Sequence, residues 1–221
     1  MPFSPLRLLL AVAAFVFLVT FVQIGVLTIA FDKLGLSPHS AYLLFLTTLV
    51  GSMINVPLFS VKAEGPPPDV QLPRAFRDLL RIRRPPFTGR TIIAVNVGGC
   101  VTPLAFSIYL LAHHPLSLFQ AAAATAVVAG VSYAFSRPVP GVGIGIPLFV
   151  PPVIAALVAV ALSPEQSAPL AYIGGSLGVL VGADLLRLKD IRRMGTPIAS
   201  IGGAGTFDGI FITGIVAVLL A

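Results

Sequence analysis

Ser200-Ile201-Gly202-Gly203-Ala204-Gly205-Thr206-Phe207-Asp208-Gly209 lies one short basic loop after Gly182-Ala183-Asp184-Leu185-Leu186. The second stretch closes one long apolar run and the first opens another, so the loop reads as a turn between two membrane segments. Each stretch carries one aspartate at the margin of its run. Ionisable groups are costly in hydrocarbon, so Asp184 and Asp208 are candidate functional residues.

Outward from this turn, the whole chain has the same character. It is 57% hydrophobic and 10% charged over 221 residues. Apolar runs of roughly 20 residues suffice to cross about 30 Å of hydrocarbon. The pattern predicts one all-α, polytopic transmembrane domain over 1–221, with about seven spans near 8–31, 40–61, 91–112, 116–135, 143–162, 168–186 and 200–221. Arg7 and the loops 62–90, 136–142 and 187–199 carry 13 of the 14 Lys and Arg, with Lys33 alone on the other side. The positive-inside rule then sets the N-terminus in the cytoplasm and the C-terminus outside. This fits a multi-pass protein of a cell membrane, with a prokaryotic inner membrane expected. The run after Arg7 is too long for a signal peptide core and reads as an uncleaved first span. The net charge of +6 follows from this loop bias and implies no nucleic acid.

The loop 62–90 begins with a rigid Gly65-Pro66-Pro67-Pro68 stretch. Arg74, Arg77, Arg81 and Arg84 follow at helical spacing on one face. Such a segment suits anionic lipid headgroups. Its plain role is to anchor and orient the chain; docking a partner is the alternative.

Polar residues and helix breakers mark the other points of interest. Asn55 precedes Pro57, whose missing N–H leaves a carbonyl free one turn earlier. Asn96 begins Asn96-Val97-Gly98-Gly99-Cys100-Val101-Thr102-Pro103, a composition at odds with a continuous helix. Irregular backbone at membrane depth is tolerated where it is buried or lines a cavity. Asn55, Asn96, Gly202, Gly203, Gly205 and Thr206 are therefore candidate cavity or substrate residues; satisfying that free carbonyl is the plainer, structural role of Asn55. Cys100 is the only cysteine, which excludes an intrachain disulfide and a cysteine-based metal centre; it reads as a packing residue. His39, His113 and His114 match no metal-ligand spacing, and no cofactor is implied. The alanines from Ala121 to Ala129 predict close helix packing. Gly141, Gly143 and Gly145 lack the strand and Lys-Ser/Thr of a phosphate loop and read as a kinked entrance to the next span.

Val97-Gly98-Gly99-Cys100-Val101-Thr102 resembles Ile201-Gly202-Gly203-Ala204-Gly205-Thr206. Each follows a basic loop and enters the membrane in the same direction. Residues 1–112 and 143–221 are thus candidate parallel repeats, as in transporters built from three spans, a linker span and three more.

The two aspartates also carry a family resemblance. Ala183-Asp184-Leu185-Leu186 and Ile201 to Asp208 are similar to the Tyr-Asp and Gly-x-Gly-Asp motifs of presenilin-type and signal-peptide-peptidase-type intramembrane aspartyl proteases. Ala183 stands for the tyrosine, Thr206 and Phe207 are inserted before Asp208, and the later Pro-Ala-Leu motif is missing. The resemblance implies a catalytic pair, Asp184 and Asp208, and a membrane peptide as substrate. Over most of its length the chain resembles a family of bacterial and archaeal membrane proteins of unknown function. That likeness rests on Ile54-Asn55-Val56-Pro57, Asn96-Val97-Gly98-Gly99, Ser136-Arg137-Pro138-Val139-Pro140-Gly141 and Ala199 to Gly209. It implies membership without an activity.

Two functions follow from the residues. One is hydrolysis of membrane peptides by paired carboxylates, whose mutual repulsion separates their pKa values into one acid and one base. The other is proton- or cation-coupled transport of a small solute, with Asp208 as coupling carboxylate and Asn55 and Asn96 along the path. A retinal protein is excluded, because the last span lacks the lysine for a Schiff base.

Overall fold

The computed structural model describes residues 24–65, 89–139, 143–191, 195–203 and 209–221. Most of these residues are helical. In chain order the elements are α1 (Ile24–Lys33), α2 (Pro38–Gly51), β1 (Asn55–Lys62), β2 (Arg90–Asn96), α3 (Thr102–His113), α4 (Leu118–Phe135), β3 (Arg137–Val139), β4 (Gly143–Gly145), α5 (Val150–Leu162), α6 (Ser167–Val179), β5 (Ile198–Ile201) and α7 (Gly209–Leu220). Wide π-helical turns at Val97–Val101 and Leu180–Leu185 open α3 and close α6.

Helix α6 is the axis of the bundle. All but one of its residues are buried. It packs against α3, α4, α5 and α7. Small residues permit this. Side chains four apart share a helix face, and Gly174, Gly178 and Gly182 present such a stripe to α4. A Cβ on Gly174 would meet that of Ala124 at 3.0 Å, and one on Gly178 would meet Val128 at 2.5 Å. On its other side, Gly175 lies against Ala155 and Ala217, so three helices close on one another with little side-chain bulk between them. The remaining core is aliphatic, with Leu110, Leu170, Ile173 and Val218 fully buried.

The two ends of the bundle differ. At one end Lys33 Nζ donates to the carbonyls of Val218 and Leu219, both at 3.3 Å. A cation there complements the negative end of the α7 dipole. His114 Nδ1 and Gln166 Oε1 meet nearby at 3.0 Å, and Ser167 Oγ donates to Ala221 O. Ser117 and Gln120 cap α4 reciprocally. At the opposite end lies a three-stranded sheet of order β1-β2-β5. β1 and β2 are antiparallel; β2 and β5 are parallel, with Val95 beside Ile201.

This sheet and a separate antiparallel pair, β3 with β4, correct the all-α expectation at four places. The expected span 40–61 ends as a helix at Gly51 and continues as β1; 91–112 begins as β2; 200–221 begins as β5; 143–162 becomes helical only at Val150. The cause is non-local pairing. Val56, Val61, Ile92, Ile93, Val95, Ile198 and Ile201 are β-branched and fit a pleated sheet once their partners arrive. The runs 116–135 and 168–186 are helices close to their expected limits. The break expected at Asn96–Pro103 is the junction from β2 through a π-turn to α3.

Leu118–Phe135 and Pro164–Leu185 are each long and apolar enough to cross a membrane. A third span arises if α1 and α2, between which the chain bends by 112°, form one crossing. The apolar helices at Val97–His113, Val150–Leu162 and Gly209–Leu220 are shorter.

Candidate functional site

Asp184 sits in the π-turn that ends α6. The wide turn is marked by Leu186 N–H donating to Val181 O, five residues back, at 2.9 Å. Such turns displace a side chain from the regular helical face and are frequent at functional sites. The Asp184 carboxylate is partly buried, and its Oδ2 accepts a hydrogen bond from Gly202 N–H at 2.7 Å. Arg187, Lys189, Arg192 and Arg193 follow Asp184 within ten positions. Of these, Arg187 pairs with Asp190 at 3.1 Å.

Gly202 and Gly203 follow β5 with φ of 85° and 94°, values open to glycine and strained for other residues. Gly202 also lies against the first glycine motif. A Cβ there would meet Cys100 N and Gly99 C at 2.6 Å. The backbone after β5 thus rests directly on the backbone after β2, and this contact aims Gly202 N–H at Asp184.

Behind it is a polar network centred on the buried Asn96. Asn96 Oδ1 accepts from Gly99 N–H at 2.8 Å, and its Nδ2 donates to Ser52 O at 2.7 Å and to Asn55 Oδ1 at 3.1 Å. Ser200 Oγ hydrogen-bonds to the same Asn55 oxygen. One asparagine therefore caps the π-turn and ties the end of α2 to β1, while Ser200 adds β5.

A pocket of about 270 Å³ opens beside Asp184. Ala183 and Val179 of the α6 end, all four residues of β5, Gly203, Gly209 and Ile210 line it, as do Gly143 to Ile146. Of the residues expected from sequence, Asp184 and Gly203 line this pocket, and Gly202 holds Asp184 from behind. Asn55 and Asn96 meet each other but do not line it. Gly205, Thr206 and Asp208 lie outside the described residues, as do Arg74, Arg77, Arg81 and Arg84. Among the described residues, no group of three His, Cys, Asp or Glu is placed to hold a metal ion.

Arg187 has no sequence signal and is central to the geometry. Its Nη2 donates to Tyr133 O at 2.8 Å and Ser136 O at 2.9 Å, its Nε to Ser136 Oγ at 3.1 Å, and its guanidinium lies 4.2 Å above the Tyr133 ring. It caps the carbonyls that end α4, and the β3–β4 hairpin leaves α4 at Ser136. Arg187 therefore ties the segment that follows Asp184 to the end of α4, where β3 begins. Arg187→Ala is expected to cost about 2–3 kcal/mol, since it removes charge-assisted hydrogen bonds and a cation–π contact. Lysine should restore less than half, having no planar fork. Denaturant unfolding of the purified protein in mixed micelles measures both.

Residues 49–220 match the model of a family described as a protein of unknown function, DUF1614. Comparison with curated proteins gives no match, and comparison with solved structures gives none.

Proposed function

We propose, on the premise that the chain belongs to the DUF1614 family, that it is an intramembrane aspartyl hydrolase acting on membrane peptides, with Asp184 and Asp208 as its carboxylate pair. One observation carries the reading. Gly203 and Gly209, which bracket in sequence the stretch containing Asp208, line the same pocket as Asp184.

The chemistry needs one carboxylate and one carboxylic acid. The carboxylate takes a proton from water as the water oxygen attacks the peptide carbonyl carbon. The acid then gives its proton to the leaving nitrogen as the C–N bond breaks. Gly202 N–H holds one oxygen of Asp184, leaving the other for water or substrate. Coupled transport would use Asn55 and Asn96 as path-lining groups. Asn96 instead spends its polar atoms on Asn55, Ser52 and Gly99, so the pocket chemistry favours hydrolysis.

The proposal includes seven crossings of a cell membrane, the shorter helices being completed by the strands that precede them. It assigns the sheet end to the cytosol, because Lys62 and Arg90 close the β1–β2 pairing and Arg187 and Lys189 lie by the pocket end of α6. Arg74, Arg77, Arg81 and Arg84 would rest on anionic headgroups there. The paired strand–Gly-Gly–helix units around β2 and β5 support two parallel repeats, 1–112 and 143–221.

The test is cleavage of a reconstituted single-span peptide, read by mass spectrometry. Asp184→Asn and Asp208→Asn are each expected to lower the rate at least about a thousandfold, and Asp190→Asn less than about threefold. Unchanged cleavage in Asp184→Asn sinks the reading. Proton flux into dye-loaded liposomes that Asp208→Asn abolishes, without cleavage, would establish transport instead.

A further inference from the structure

Strand β4 is unevenly built. It reads Gly143-Ile144-Gly145, and Ile146 follows at its end. Side chains alternate between the two faces of a strand, so glycines on both sides of Ile144 leave one face bare and the other carrying the isoleucine. Ile144 and Ile146 both line the pocket that contains Asp184. Both are half-buried, and both pack against the cluster that includes Val179 and Ala183, on the turn leading into Asp184. β3 holds the strand in place, with Pro138 paired to Ile144. The other described residues that line the pocket all fall between Val179 and Ile210, the stretch that carries both aspartates. β4 thus contributes to the site from outside the segments that bear the carboxylates.

The lining has the chemistry of an aliphatic binding site. Among the described lining residues Asp184 is the only charged one, and the hydroxyls of Thr196 and Ser200 are the other polar side chains. At about 270 Å³ the pocket lies below the roughly 300–1,000 Å³ of sites that enclose a whole small ligand. It suits one or two side chains of a longer chain.

We propose that Ile144 and Ile146 form a specificity subsite, which receives the aliphatic side chain beside the bond to be cut and sets its upper size. This rests on the hydrolase reading and narrows its substrate to peptides with a leucine-sized residue at that place. A carbonyl that reaches Asp184 carries its neighbouring side chain into the same pocket. Close-packed isoleucines resist a larger ring, and an apolar pocket discriminates about 10–200-fold for one methylene of misfit. Because β4 lies apart from both aspartates, its side chains can tune the fit without altering the carboxylates.

The test uses the full chain in liposomes and two single-span peptides that compete in one sample. They differ only at the residue before the cut bond, leucine in one and phenylalanine in the other, and mass spectrometry reads the ratio of products. That ratio compares kcat/KM values and does not depend on how much of a variant folds. The unmutated protein should favour leucine about tenfold or more, and Ile144→Ala and Ile146→Ala should each move the ratio about tenfold toward phenylalanine. Where Ile144→Ala fails to fold, Ile144→Val, one methyl smaller, should still move it about threefold. Val139→Ala is the control. Val139 sits in the same hairpin but does not line the pocket, so its ratio should stay within about twofold of the unmutated value. Unchanged ratios in the isoleucine variants, or an equal shift in Val139→Ala, overturn the proposal. Fluorescence anisotropy of labelled peptides with an uncleavable hydroxyethylene group at that bond reads the same preference as binding. If the unmutated protein cuts no peptide, the hydrolase reading fails by itself. The binding ratio then decides the aliphatic subsite: a shift in the isoleucine variants supports it, and no binding or no shift overturns it.

Discussion

Gly98→Ala should abolish folding, or lower stability by about 4 kcal/mol or more. Gly98 is buried in the π-turn after β2, where it lies against the end of α2. An added methyl would overlap Thr48 O and Ser52 N, and would come within 2.9 Å of Gly51 C. All three are backbone atoms. Thr48 O and Ser52 N are also bonded to each other at 2.9 Å, so separating them costs a helix hydrogen bond as well. The contact is reciprocal, since a methyl on Gly51 would meet Gly98 N at 2.9 Å. No flexible side chain is available to yield, and protein interiors repack little around such an insertion. Gly130→Ala is the matched control. Gly130 lies within α4, and a Cβ there meets nothing within 4 Å. It should stabilise by up to about 1 kcal/mol through helix propensity. Denaturant unfolding in mixed micelles, with yield of monodisperse protein as the first readout, separates the two. Equal stability of Gly98→Ala and the unmutated chain would contradict the close approach of α2 and the π-turn.

The ease of reading this chain follows how local each signal is. α4 and α6 are legible because an apolar run of helical length carries its own evidence. Their close packing is half legible: the alanines of α4 announce it, whereas the glycines four apart on α6 take their meaning only from the packed pair. The break at Asn96–Pro103 is legible because glycine and proline act on their own backbone. The strands are another matter. Ile92 to Val95 is apolar and, but for Ala94, β-branched, and within a longer hydrophobic run it reads equally as helix. Only pairing with β1 and β5, far away in sequence, decides it. The same reason hides the partner of Asp184. Four basic residues follow it within ten positions, yet the hydrogen bond comes from the backbone of Gly202, brought back by β5. Arg187 reaches 54 residues back to Tyr133 with no sequence pattern to announce it. Asn55 and Asn96 were legible as polar groups in apolar surroundings, but their mutual satisfaction was not.

That mutual satisfaction makes Asn96→Ala the second large effect, with an expected loss of about 3–4 kcal/mol. Asn96 is 1% exposed. Truncation strands Gly99 N–H and Ser52 O where neither meets solvent through the missing side chain. It also removes one of the two donors to Asn55 Oδ1, leaving Ser200. An orphaned buried polar group costs about 1–3 kcal/mol, and a small cavity adds to it. Asn55→Ala should cost less, about 1–2 kcal/mol, because Asn55 is exposed and water can replace its oxygen. Asn96→Asp separates hydrogen bonding from shape. The carboxylate would still accept from Gly99 N–H, but its second oxygen would face Ser52 O and Asn55 Oδ1, both acceptors. Burial of that charge against two acceptors should make Asn96→Asp at least as harmful as Asn96→Ala at neutral pH. Protonation supplies one donor in place of the lost amide, so the aspartate variant should recover stability as the pH falls. Equilibrium unfolding of the three variants at neutral and acidic pH checks this order. If Asn96→Ala and Asn55→Ala prove equal, the network does not join the α2 end, the π-turn and β5 as described. The orientation of Gly202 toward Asp184 would then need another support, because Ser200, through Asn55, is what couples the asparagines to the strand that leads into it.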